Sequence, residues 1–196
     1  MKKGFIPRKY SDISLGQFLD WNDTKNEFER FCIMTKISEA EVRQLPFQEV
    51  KETLDYIQSI IDNQESAEFK LRFDLNGTAY GFIPDISQLS YGEFADLMHY
   101  TKEDNIMQNL DKAMAIFYRP ITATMGKKYE IEQYNSDKHL VNAADMRELR
   151  LDYVFGVILF FSTIANDLLN DSLTYLEEAT KELVEMTKEL QNEQMQ

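Results

Sequence analysis

The alternation of Phe69, Leu71, Phe73 and Leu75, cut off by Asn76-Gly77, constrains the fold of this chain more than any other stretch. Apolar residues two apart, with Lys70, Arg72 and Asp74 between them, put one face of a strand on a core and the other in water. Asn and Gly both tolerate positive φ, which a two-residue hairpin turn requires. The returning strand therefore runs from Thr78 to Ile83 and stops before Pro84. The same turn sets the register, with Phe73 opposite Tyr80 and Leu71 opposite Phe82. Cross-strand pairs of this kind contribute roughly 0.2–1 kcal/mol each. An isolated hairpin is marginal in water, so this one must lie on helices or on another chain.

The rest of the chain reads as helix. One phrase occurs twice, as Ile13 to Trp21 and again as Leu89 to Leu97. Ser14 and Ser90 suit N-caps, and Gln17 and Glu93, three residues on, complete capping boxes. Ile13 with Phe18, and Leu89 with Phe94, occupy the positions of a hydrophobic staple. Gly16 and Gly92 stand in a first turn where Ala would serve better, which points to close approach of another backbone. The phrase is either a duplicated unit or two helix starts built from one vocabulary. Nothing outside it aligns, so it marks helix starts and not two domains.

Further helices are expected over 25–35, 38–44, 47–63 and 105–118. Ser38 and Glu41 form a third capping box, and Val50, Leu54, Ile57 and Ile61 share one face of the fourth helix. Arg119-Pro120 ends the 105–118 helix, and Tyr129 to Tyr134 reads as a short extended or turn-rich piece. Helix resumes near Ala143 and continues to about Asn170, with a bend at Gly156. The fold class expected is mainly α: a helical domain with one β-hairpin (about 69–83) and a long C-terminal helix. An N-terminal arm over 1–10, a core domain over 11–170 and a helical extension over 171–196 follow from these assignments. The arm is either frayed or packed on a neighbouring subunit. In the extension Leu176, Leu183 and Leu190 recur every seven residues, the spacing of a seam that docks between chains or within the chain, unless the end is free and frayed.

The formal net charge of −13 disfavours binding to duplex nucleic acid or to anionic lipid. Basic protein partners remain compatible with it. Met1 to Tyr10 is basic without an apolar run, so no secretory signal is expected. The apolar stretch Val154 to Ala165 is too short for a bilayer, which takes about 20 residues, and reads as a core helix.

No motif carries chemistry. Cys32 is a lone thiol flanked by Phe31 and Ile33, expected to be buried and inert. His99 and His139 stand in no metal-ligand spacing and are expected on solvated loops. Asp20 and Asp96, at matched places in the repeated phrase, are the best candidates for a carboxylate pair, although the polar ends of short helices explain them better. No catalytic residue, metal or cofactor is expected. Tyr118 and Arg119 are candidate interface residues, with Arg119 either capping a helix C-terminus or clamping a carboxylate across an interface. Leu176, Leu183 and Leu190 complete the candidate interface set.

Three stretches carry a resemblance: Asn76 to Asp85, Ser90 to Leu97, and Met114 to Ile121. Asp12 to Phe18, Ser38 to Pro46 and Phe160-Phe161 fit the same pattern. Over roughly 10–165 the chain resembles proteins encoded among the structural and assembly genes of tailed bacteriophages of Bacteroidetes, crAss-like phages included. The resemblance implies no catalytic residues. It implies a virion or tail assembly protein, a homo-oligomer in contact with other phage structural proteins, with no nucleic-acid or membrane partner. Such a protein belongs in the virion, or in the host cytoplasm during assembly. A ring or connector component is one reading and a tail assembly chaperone that leaves before maturity is another. A small carboxylate-dependent enzyme is the reading from a different class.

Overall fold

The computed structural model describes residues 5–63, 67–102, 106–164, 166 and 176. Four helices come first: α1 (Leu15–Asp23), α2 (Glu27–Thr35), α3 (Glu39–Val42) and α4 (Phe47–Asp62). The hairpin β1 (Arg72–Leu75) and β2 (Thr78–Phe82) precedes α5 (Tyr91–Tyr100) and α6 (Leu110–Phe117). Then come β3 (Tyr118–Met125), β4 (Lys128–Ile131), α7 (Ser136–Met146) and a helix α8 over 151–164. The chain divides into two units, Met1–Val157 and Ile158–Gln196. In the second, the described part of α8 carries Ser162 and Thr163, whose hydroxyls donate to the carbonyls of Ile158 and Leu159. No helix among the described residues is long and apolar enough to cross a membrane.

The fold class is mixed α/β, which corrects the expectation of a mainly α domain with one hairpin and a long C-terminal helix. The four strands form one antiparallel sheet in the order β1-β2-β3-β4. The first hairpin has its expected register, Phe73 opposite Tyr80, and Phe82 donates its N–H to Leu71. Asn76 and Gly77 both take positive φ, 51° and 82°.

The second hairpin is the one that the sequence reading misses. Pro120 does end the helix, but the chain passes from Phe117 straight into a strand. Arg119 precedes a proline, which pushes it from α to extended backbone. Tyr118 and Arg119 pair with Phe82 and Gly81, and β3 pairs with β4 from Ile121 to Met125, with a bulge in that ladder between Ile121 and Ala123. Gly126, at φ 62°, begins the turn that closes this second hairpin. The extended piece expected at 129–134 is in part β4.

The core lies where the sheet meets α6. All of α6 is buried except Lys112, the pattern of a helix packed on every side. Its end, Phe117, stacks on Phe82, and Tyr118 packs its ring against Phe73 and Phe82. Tyr80 reaches from β2 to α7, donating its hydroxyl to Asp145 at 3.1 Å.

The expected continuous helix from Ala143 onward is instead broken at 147–150, and its cause is non-local. The first N–H groups of α1 have no partners within their own helix. Those of Leu15 and Gly16 donate to the carbonyls of Leu149 and Arg147, at 2.8 and 2.7 Å. Those carbonyls face α1 because the chain turns there. Gly156, taken as the bend, lies within α8 and allows the backbone of Glu68 and Phe69 to cross; a Cβ would collide with it.

All three capping boxes form. Ile13 and Phe18 are buried, whereas Phe94 in the second copy is exposed, so only the first copy has a buried staple pair. Gly16 has its close neighbour, with a Cβ reaching 3.0 Å from the Arg147 carbonyl. Gly92 meets nothing nearer than the Tyr134 ring at 3.7 Å, which corrects the expectation of close backbone approach there.

Candidate functional site

A buried polar cluster lies beneath α5. Glu93, three residues into the capped turn, divides its two carboxylate oxygens between two tasks. Oε2 accepts the Ser90 N–H at 2.7 Å and closes the capping box. Oε1 pairs with Arg119 Nη2 at 2.6 Å. Both side chains are nearly fully buried, at 7% and 9% exposure. The Arg119 Nε has no partner. Burial lowers the Arg119 pKa, and the Glu93 carboxylate works against that shift.

This pair forms the floor of a cleft of about 540 Å³ whose rim includes Asp85, Ser90, Glu132 and Tyr134. Asp85 accepts from the Ser87 hydroxyl and N–H, which hold its carboxyl below the usual range. Glu132 takes Lys138 at 2.5 Å. One turn along α5 from Glu93, Asp96 accepts the hydroxyl of Tyr134. Burial and the Asp96 contact push that phenol well above its ordinary value. Every acidic group named here is already engaged by a donor of the chain itself. The arrangement holds α5, the start of β3 and the approach to α7 together, and it presents no free nucleophile paired with a base.

The structure places the expected site residues as follows. Tyr118 is fully buried and donates its hydroxyl to the Lys70 carbonyl at 2.6 Å. Arg119 does clamp a carboxylate, but the carboxylate is Glu93 of its own chain, and the residue is the second of strand β3 instead of a helix cap. Leu176 is helical and exposed. Leu183 and Leu190 lie outside the described residues. Asp20 and Asp96 serve separate contacts, Asp20 with Arg147 at 2.6 Å and Asp96 with Tyr134. Cys32 is half-buried, and burial raises its thiol pKa. Neither histidine lies on a loop: His99 is on α5 and exposed, and His139 is on α7 and 3% exposed. No group of three or more metal-ligating side chains gathers among the described residues.

Glu93 and Gln17, expected only to complete capping boxes, do more than that. The buried Gln17 closes its own box and also donates to the Ile33 and Met34 carbonyls at the end of α2. The available signal was the repeated phrase itself, whose third helical position is a long acceptor in both copies.

No protein-family model, curated protein or solved structure matches the chain.

Proposed function

We propose that the chain is a non-enzymatic bacteriophage virion or tail assembly protein that works as an oligomer through protein–protein contacts. The observation that carries this reading is a stripe on α5. Tyr91, Phe94 and Met98 are exposed at 87%, 52% and 52%. Their spacing puts all three on one helix face, in water, while Glu93 faces inward. A contiguous apolar face of this kind marks an interaction site more often than a single exposed residue does. The engaged carboxylates of the neighbouring cleft give further support. So does the resemblance of the segments around the first hairpin and the start of β3 to phage assembly proteins. The stripe meets an adjoining copy in the assembled ring.

Tail assembly chaperone is the second reading, and exposed methionine favours it. Met98, Met107 and Met125 all face solvent, and methionine makes an adaptable surface for several partners.

Light scattering coupled to gel filtration tests the first reading. The wild-type chain should form an oligomer that Tyr91→Ser with Phe94→Ser and Met98→Ser reduces to monomers, with the thermal melt unchanged. A monomeric wild-type protein, or an oligomer indifferent to the triple change, refutes the ring. Mass spectrometry of purified particles separates the two readings, since a virion component is present at fixed stoichiometry and a chaperone is absent.

A further inference from the structure

Two ionisable groups in the described core have side-chain polar atoms that are wholly unanswered, the phenol of Tyr10 and, with two such atoms, the imidazole of His139. His139 projects from α7, is 3% exposed, and neither Nδ1 nor Nε2 has a hydrogen-bond partner. A neutral imidazole always carries one N–H and one acceptor nitrogen. What holds the ring is aromatic. Tyr100 of α5 stacks on it at 5.4 Å and 24°, and Tyr134, just before α7, lies at 5.7 Å.

Titratable and charged groups face this sandwich from the elements packed against it. From α5 come Asp96 and Tyr100, and from α6 Asp111 and Lys112. Lys112 donates to Asn109 and lies over the Tyr100 ring at 5.4 Å. Arg147, beyond the end of α7, reaches Asp111 at 3.6 Å. Asp96, meanwhile, is held by the Tyr134 hydroxyl. Burial lowers the His139 pKa, Asp96 and Asp111 oppose that shift, and Lys112 reinforces it.

We propose that His139 is the trigger of an acid-released clasp between α5 and α7. Protonation in the aromatic sandwich creates a buried cation with two donors and no acceptor. The relief is a carboxylate, and of the two that act on the ring, Asp96 and Asp111, Asp96 of α5 is already bonded to Tyr134. The imidazolium competes for that oxygen, the Tyr134 hydroxyl is displaced, and the contact between α5 and the entry to α7 loosens. The neutral ring, stacked and uncharged, leaves the Asp96–Tyr134 bond in place. Histidine suits this use because its ordinary pKa of about 6.5 lies within the range of mild acidification.

The sign follows from linkage. The folded protein disfavours the proton relative to the unfolded chain. The stabilising contribution is therefore complete above about pH 6.5 and is lost as pH falls from there to the lower folded value. Below that value the loss levels off.

The chain has two histidines, so His99→Gln leaves His139 as the only imidazole. Proton NMR of its Cε1–H between pH 8 and pH 5 gives the titration directly, and near-ultraviolet circular dichroism of the tyrosines follows the clasp. The expected result is a midpoint below about 6.5, with the tyrosine signal falling at the same midpoint while far-ultraviolet helix content holds. His139→Phe, which keeps an aromatic ring in the sandwich, should be flat over this window. A ring still neutral at pH 5, a midpoint at or above the ordinary value, a tyrosine signal that ignores the titration, or a transition that survives His139→Phe would each overturn the clasp. Should His139→Phe not fold, Asp96→Asn decides in its place. Removing that carboxylate must lower the imidazole midpoint further, and an unmoved midpoint is the refuting result.

Discussion

Glu93→Gln separates the two tasks of the buried carboxylate, because the amide oxygen still accepts from Ser90 while the charge is gone. In the wild type both members of the pair are desolvated, with 7% of Glu93 and 9% of Arg119 exposed and 2.6 Å between Oε1 and Nη2. Taking one partner from a buried pair leaves the other charge stranded, at about 3–5 kcal/mol. A domain of ordinary stability has about 5–15 kcal/mol in total, so the variant should be severely weakened. Glu93→Ala loses the capping box as well, about 1 kcal/mol more. Glu93→Leu combined with Arg119→Met removes both charges and fills the space with apolar atoms. Such replacements of buried pairs are often neutral or stabilising, so the double variant should recover most of the loss, short of the box. Urea denaturation followed by far-ultraviolet circular dichroism gives the midpoint and slope for all four proteins. The reasoning fails if Glu93→Gln lies within about 0.5 kcal/mol of wild type, the range of an ordinary surface substitution. It also fails if the double variant is no better than the single one.

Two further predictions concern glycines, both read by thermal melts. Gly16→Ala should destabilise, since its Cβ would lie 3.0 Å from the Arg147 carbonyl and 3.2 Å from the Arg147 Cβ, whereas Gly92→Ala, with only the Tyr134 ring at 3.7 Å, should stabilise by about 0.5–1 kcal/mol. Equal effects at the two positions would refute the difference between the copies. Gly156→Ala forces a Cβ into the backbone of Glu68 and Phe69, and should cost at least the 1–3 kcal/mol typical of overpacking.

The parts of the fold that were legible are those with local causes. A two-residue Asn-Gly turn determines its own register, so the Phe73–Tyr80 pairing follows from the adjacent residues Phe73 to Tyr80 alone. Serine caps and their boxes are equally local, and all three formed. The second hairpin is hidden because Pro120 stops a helix and equally favours a strand, by pushing Arg119 to extended backbone. Gly126 then went unread as a turn. The break at 147–150 could not be read at all, because the donors that fix it, Leu15 and Gly16, stand at the far end of the chain. The burial of His139 has the same origin, since its aromatic neighbours come from α5 and from the segment before α7.

The repeated phrase shows how one local device supports two different joints. In each copy Ser caps the helix, and a long acceptor three residues on completes the box. That acceptor then has capacity left over. An amide also has an N–H₂, so Gln17 donates to the open carbonyls at the end of α2. A carboxylate has only acceptors and a charge, so Glu93 selects Arg119 instead. Three positions further, Asp20 meets Arg147 beyond one end of α7, and Asp96 meets Tyr134 ahead of the other. The two helices thus grip the flanks of the same helix with the same positions of the phrase. Only the second grip has a buried histidine beside it, which is why acid should loosen α5 while leaving α1 in place.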